Sequence, residues 1–385
     1  MEILGYVRPW GGIGIRNHVL ILPVVVCAAE VAQRIADAVP GTVAVPHQHG
    51  CGQIGADFEQ TKRTLVGYGS NPNVAATIVV GLGCEKVAAE EVAAEIAACG
   101  QRVELVIIQK EGGSRRAVEK GVEIAGKLVA ETARIAPQPV PVKALILGLE
   151  CGGSDATSGL AANPALGVAS DLLVAAGGTS ILSETPEIMG AEHLLARRAV
   201  NDEVARRLYE IVARVEEGAK RMGVDLRGAN PAPGNIAGGI TTIEEKSLGC
   251  IYKAGTAKVQ GVLEYAEAPR RPGLWVMDTP GHDVESVTGM VAGGAQIVVF
   301  TTGRGTPAGC AIAPVIKVTG NSRTFRNMEE NIDVNAGTII DGQETIEEVG
   351  RRIFSLMLAV ARGELTKAEK LGHREFAITR VGPTF

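Results

Sequence analysis

Residues 143–160 read KALILGLECGGSDATSGL. Ala144 to Leu149 is a short apolar run bounded by glycine, the pattern of a buried strand. It breaks at Glu150-Cys151-Gly152-Gly153-Ser154-Asp155, and the chain turns helix-friendly after Ala156. A strand that empties into a Gly-rich polar loop ahead of a helix is where open α/β sheets bind ligands. Cys151 offers a thiolate and Asp155 a carboxylate, and Gly152 and Gly153 let backbone approach a bound anion. The plainer alternative is a tight turn whose cysteine packs as a small core residue.

Outward from this stretch, the N-terminal side alternates strand and helix, the α/β pattern. Val19 to Val26, Thr42 to Val45, Ala76 to Val80 and Val103 to Ile108 read as strands, with helices expected at Ala28 to Ala38, up to about Ala98, and up to about Arg134. Arg8 to His18 is a Gly-punctuated lead-in with two arginines, read as a solvated loop or a carboxylate clamp. His47-Gln48-His49-Gly50-Cys51 is a dense donor cluster of the kind that suits Zn or Fe(II), or else a polar interface loop. IVVGLGCE and LILGLECGG look like one device used twice, which suggests two related α/β halves. Between them, Pro137, Pro139 and Pro141 stop the helix and hold the chain extended. The expected division is a first α/β domain at 1–134, likened to a dimerisation unit below, a Pro-rich linker at 135–143 and a second α/β domain at 144–385.

Composition narrows the function. The chain has 385 residues, 46% hydrophobic and 21% charged, an ordinary globular balance. Aromatics at 3% argue against a base-stacking platform, and a net charge of −5 leaves no phosphate footprint. Neither nucleic acid nor membrane is expected as a partner, since no signal pattern opens the chain and no apolar run suggests a span. Seven cysteines without a CxxC suggest reduced thiols in the cytoplasm. No GxGxxG follows a strand, and neither a Walker sequence nor GxSxG occurs, so nucleotide binding and serine hydrolysis are not favoured.

On the C-terminal side, several strand ends open into polar loops: Cys151 to Asp155, Ser183-Glu184-Thr185-Pro186-Glu187, Thr279 to Asp283, and Thr301 to Cys310. Glu184 is a candidate metal ligand or acid/base group, whereas Glu187 reads more simply as part of a helix start. Residues 225–250 look irregular, and a long loop inside a compact domain points to function. Soft and hard donors beside Gly, Ser, Thr, Arg and Lys suit metal-assisted proton abstraction next to a carboxylate, then β-elimination. Either His282 or Lys317 could serve as the base. An iron–sulfur centre would need Cys51, Cys84, Cys151 and Cys310 to converge.

Five blocks carry a resemblance: GLECGGSDATSGLAANPALG, SETPE, NPAPGNIAGGITTIEEKSLG, MDTPGHDVESVTGMVAGGAQIVVFTTGRGTPAGCAIAPVIKVTGN and NIDVNAG. With GYVRPWGGIGIRNHV, HQHGCGQ and GLGCE, they span nearly the whole chain. The sequence resembles the altronate/galactarate dehydratase family. The resemblance implies dehydration of a sugar acid to a 2-keto-3-deoxy acid with Fe(II) or another divalent ion such as Mn. It also implies a dimerising first domain, so a homodimer, and a Rossmann-like, mostly parallel second domain covered by helices that holds the metal. In the shared blocks, chemistry assigns Cys151, Glu184 and Cys310 to metal, Ser154, Asp155, Thr301, Thr302 and Arg304 to substrate, and His282 and Lys317 to catalysis.

Longer members of the family carry a small N-terminal domain that has no counterpart in these blocks, so a separate small subunit is an expected partner. Split members include (2R)-sulfolactate sulfo-lyase, which expels sulfite after the same proton abstraction. A non-catalytic subunit that binds a sugar acid is the alternative from another class.

Overall fold

The computed structural model describes all 385 residues. Its strands are β1 (Glu2–Val7), β2 (Ile13–Gly14), β3 (His18–Pro23), β4 (Thr42–Ala44), β5 (Val74–Gly81), β6 (Arg102–Ile107) and β7 (Gln138–Pro141). They continue with β8 (Ile146–Cys151), β9 (Thr179–Leu182), β10 (Val259–Leu263), β11 (Gly273–Met277), β12 (Ile297–Thr302), β13 (Val315–Thr319) and β14 (Val334–Asn335). Three sheets result, ordered β2-β1-β7, β4-β3-β5-β6 and β10-β11-β9-β8-β12-β13-β14. The last two are parallel throughout. The fold is α/β.

Parallel strands buried on both faces need continuous apolar runs, and the sequence supplies them. All eight residues of β5 are buried, as are β9, β11, β12 and β13 along their full lengths. In the seven-stranded sheet, β8 comes first in the chain yet lies in the middle. The chain moves to β9 on one side and later to β12 on the other, so the strand order reverses at β8. A crevice opens outside the carboxyl ends of strands at such a point, and here it opens at Cys151.

The apolar interior lies in three layers. Helices Asn163–Ala175, Asp202–Arg221 and Ile346–Ala361 cover one face of the large sheet over a cluster that includes Leu147, Leu149, Val299 and Ile353. On its other face, Val298 and Phe300 share a core with Leu20, Leu22 and Val79 of the four-stranded sheet. Helices Val26–Ala38 and Ser114–Thr132 close the far side of that smaller sheet. The two parallel sheets are thus joined through buried apolar surface.

Several local expectations change. Residues 225–250 hold helices Leu226–Ala229, Pro233–Ala237 and Ile243–Cys250, because Asp225 and Thr242 accept N-terminal amide hydrogens and Pro233 starts its helix. The Pro-rich connector forms β7, antiparallel to β1. Arg8 and Arg16 are buried: Arg8 donates to the Pro72 and Arg16 carbonyls and to Asn17, and Arg16 to Glu369 and three carbonyls. One stretch, Ser158–Ala175, has the length and hydropathy of a membrane span after all. It is 56% buried, and Ala165, Leu166, Ala169 and Leu173 belong to the core. The look-alike strands also differ in place: β8 opens its sheet, whereas β5 is the third strand of its own.

Candidate active site at the strand ends

Four loops build the site. At the end of β8, the Cys151 amide donates to Glu184 Oε2 at 2.9 Å. Glu184 follows β9 and has φ 67°, left-handed for a residue with a side chain. Its amide donates to Thr279 Oγ1, beyond β11, at 2.7 Å. Conformations of this kind cost about 1–3 kcal/mol and persist where surrounding bonds hold them, often at functional sites.

Against this frame packs the turn that follows helix Ile243–Cys250. Lys253 is fully buried, with Nζ 3.0 Å from Cys151 Sγ and 3.0 Å from Cys250 Sγ, and it also donates to Glu184 Oε2. The two sulfurs lie 3.5 Å apart. Burial works against the Lys253 ammonium, but Cys151, Cys250 and Glu184 together hold its pKa well above the ordinary lysine value. The hydrogen bond with Cys250 and burial push the Cys151 thiol up.

A carboxylate shell adjoins this cluster. Glu150, 0% exposed, has Oε2 bonded by Ser286 at 2.6 Å while Oε1 has no partner. Burial and the neighbouring Glu184 raise its pKa well above the carboxylate range. Asp283 is pushed up to about 7, by burial first and then by Glu184 and Glu187. Glu187 is ion-paired with Lys246 at 2.8 Å, and its pKa is raised by burial. Gly152 allows the close approach of Asp283: a Cβ there would collide with that carboxylate.

The cluster opens on a cavity of about 260 Å³ lined by Cys151, Ser154, Asp155, Asn163, Lys246 and Cys250, with Leu160, Leu248 and Tyr252 at its apolar side. Asp155 Oδ1 accepts from the Thr157 amide at 2.9 Å and the Ser158 amide at 3.2 Å, fixing the turn into the following helix. Asn235 bonds the Ser154 carbonyl at 2.9 Å and ties the segment around 226–250 across the Cys151 loop.

Of the residues singled out from sequence, Cys151 and Glu184 meet directly, and Ser154 and Asp155 line the cavity. Thr301 is buried beneath the site, its hydroxyl donating to Asn163 at 2.5 Å, and Asn163 in turn donates to the Gly249 carbonyl at 3.0 Å. Thr302 Oγ1 accepts from the Gly305 amide at 2.9 Å, and exposed Arg304 donates to the Gly234 carbonyl at 3.1 Å. His282, with a side chain 65% exposed, stands at the start of helix Asp283–Ala292, next to Asp283. Two residues fall elsewhere. Cys310 lies in the core between the sheets with Sγ 3.2 Å from the Tyr68 hydroxyl. Lys317 pairs in register with Phe300, and its ammonium is bonded to the Pro307 and Ala308 carbonyls at 2.7 and 3.0 Å.

The donor-rich loop in the first unit is structural in its contacts. His47 Nε2 meets the Pro23 carbonyl and His49 Nε2 the Ile378 carbonyl. Cys51 and Cys84 are exposed, and no three cysteines converge. Glu150, Cys250, Lys253 and Asp283 join this cluster and were not singled out from the sequence. Cys250 and Lys253 carry no strand-end signal, since they arrive on a helix and the turn after it. Glu150 and Asp283 neighbour residues that were chosen.

A metal fits this donor set. Ligand atoms of Cys151, Glu184 and Cys250 lie within 4.8 Å of one another, as do those of Glu150, Glu184 and Asp283. Mixed thiolate and carboxylate donors suit a first-row divalent ion.

The fold and site together define an α/β protein with a buried thiol–carboxylate–ammonium centre at the reversal point of a parallel sheet. Residues 142–384 match the family described as D-galactarate/Altronate dehydratase, C-terminal, and residues 5–133 match D-galactarate dehydratase/Altronate hydrolase, second domain. The chain belongs to the D-galactarate/altronate dehydratase family. It is 41% identical to the (2R)-sulfolactate sulfo-lyase subunit beta of Chromohalobacter salexigens, over 98% of this chain and 97% of that one. To the altronate dehydratase of Bacillus subtilis it is 36% identical, over 99% of this chain and 78% of the relative. To the galactarate dehydratase (L-threo-forming) of Escherichia coli it is 39% identical, over 83% of this chain and 63% of the relative.

Proposed function

We propose that the chain is a carbon–oxygen lyase that dehydrates a sugar acid of the altronate or galactarate type to a 2-keto-3-deoxy acid. The observation that carries this reading is the convergence of Cys151, Cys250, Glu184 and Asp283 beside a cavity of small-molecule size, in a chain of this family. Cys151, Cys250 and Glu184 would hold the divalent ion, Fe(II) by preference and Mn otherwise. Such an ion supplies Lewis-acid charge to the substrate carboxylate.

The chain's own groups supply the rest. Exposed His282 is the base for the α-proton. Asp283, whose proton comes and goes near neutrality, protonates the departing hydroxyl. Ser154 and Asp155 orient the substrate from the loop beyond β8, and Arg304 lies on the loop beyond β12 within reach of a second anionic group. Lys317 is assigned to holding that loop rather than to proton transfer, since both of its bonds go to loop carbonyls. We place the enzyme in the cytoplasm as a dimer through its first domain.

One observation favours a second reading. A relative 41% identical to this chain, over 97% of its own length, is named as the subunit beta of a sulfo-lyase. A separate small subunit and a sulfonate substrate would follow. The two readings part on product: anaerobic incubation with Fe(II) and altronate, galactarate or sulfolactate, with and without a small subunit, assayed for 2-keto acid and for sulfite. Keto acid from a sugar acid supports the dehydratase, and sulfite from sulfolactate supports the sulfo-lyase. Ligand binding without either product would favour a non-catalytic binding subunit.

A further inference from the structure

An ammonium carries three N–H donors and no acceptor. Lys253 uses them on Cys151 Sγ, Cys250 Sγ and Glu184 Oε2, the three atoms that would ligate an ion. A divalent ion bonded at about 2.3 Å to sulfur and about 2.0–2.2 Å to oxygen would engage the same three atoms that now hold Nζ. The ammonium and the ion cannot both be there.

A second place for the lysine exists. Glu150 is completely buried, and its Oε1 has no hydrogen-bond partner. A carboxylate oxygen of Glu150 lies within 4.8 Å of one of Glu184. A buried polar atom left unpaired costs about 1–3 kcal/mol, so this oxygen is a favourable landing point for a donor displaced from Glu184. The lysine stem is flexible enough for a move of this size.

We propose that Lys253 is a tethered cation that competes with the divalent ion for Cys151, Cys250 and Glu184, and swings to Glu150 Oε1 when the ion binds. The inference rests on the metal reading of the site given above and adds a device that sets metal affinity. The lysine keeps Glu184 paired in the metal-free chain, where an unpaired buried carboxylate would be costly. It also lowers apparent affinity, because the ion must displace a bonded group.

The test is anaerobic titration of the whole chain with Co(II), following the thiolate-to-cobalt charge-transfer absorption and the dissociation constant. The wild type is expected to develop that absorption. Lys253→Met, which keeps the stem and removes the cation, is expected to bind Co(II) at least about tenfold more tightly, or ~1.4 kcal/mol, with the same band. Glu150→Gln keeps the shape of the side chain and removes the negative charge that would receive the ammonium. It is expected to weaken Co(II) about tenfold, and it carries the test if Lys253→Met does not fold. Cobalt bound without a thiolate band would put the ion on the carboxylates and overturn the proposal. So would Lys253→Met binding no more tightly than wild type, Glu150→Gln binding as wild type, or no cobalt binding at all. Turnover is not read, so a failure here is separate from failure of the lyase reading.

Discussion

At the residue scale, the site depends on close approaches that only particular side chains permit. Gly152 faces the Asp283 carboxylate with no room for a Cβ. Gly152→Ala is expected to displace Asp283 and lower kcat by 100-fold or so (~3 kcal/mol), with the far-ultraviolet dichroism unchanged. Steady-state kinetics beside dichroism checks this. His47 makes a different prediction. It is buried, with Nε2 2.7 Å from the Pro23 carbonyl and Nδ1 accepting the His49 amide at 3.1 Å, so the neutral ring fits. Burial lowers its pKa from 6.5 to about 4. The unfolded chain therefore takes up this proton at higher pH than the folded one. Its contribution is complete above pH 6.5 and is lost as pH falls from 6.5 towards 4, by up to about 3 kcal/mol. Urea unfolding at pH 7 and pH 4.5 is expected to show a smaller difference in His47→Gln than in wild type.

At the scale of elements, β8 both fills the core and aims the chemistry. Leu149 is fully buried in the cluster beneath helix Asn163–Ala175. Leu149→Ala is expected to cost about 2–5 kcal/mol, read from the denaturation midpoint. The parallel strands were legible because apolar runs of this length, bounded by glycine, have few other readings. The meeting of Cys151 and Glu184 was legible too, because strand ends at a chain reversal are where side chains converge. Helix Gly55–Gly69 was not, since its buried positions include Thr61, Thr64 and Gly69, which weaken the apolar stripe. The segment 225–250 read as loop because its helices are short and its Gly and Pro residues serve as starts and stops. Cys250 and Lys253 were therefore invisible as partners of Cys151: their meeting is tertiary, across about a hundred residues. Cys310 and Lys317 carry the right chemistry, but Cys310 packs against Tyr68 between the sheets and Lys317 bonds the Pro307 and Ala308 carbonyls. The Lys246–Glu187 pair pins the 225–250 segment, with side chains 11% and 7% exposed. Lys246→Met is expected to leave Glu187 buried and unpaired, and to speed amide exchange across residues 233–250.

At the scale of the molecule, the two parallel sheets are stitched by the C-terminal tail as well as by their shared core. Arg380 bonds Asp57, His49 bonds the Ile378 carbonyl, and the Phe385 amide donates to the Gly52 carbonyl at 2.9 Å. Removing residues 373–385 is expected to lower the melting temperature by a few degrees (roughly 1 °C per kcal/mol lost, from about 2.1 cal/mol/K of unfolding entropy per residue), while the Cys151 cluster, built wholly from the second unit, keeps its geometry. Differential scanning calorimetry of the truncated and full chains checks this.

As proposed, the buried thiol–carboxylate cluster is the centre of a sugar-acid lyase. The measurement that tests it most directly is 2-keto-3-deoxy acid formed from altronate or galactarate, under anaerobic Fe(II), by wild type and Cys250→Ser side by side, each with a small subunit present. The predicted result is product from the wild type and at least a hundredfold less from Cys250→Ser, with both chains equally folded. Equal rates from the two, or no keto acid from either sugar acid, would contradict it.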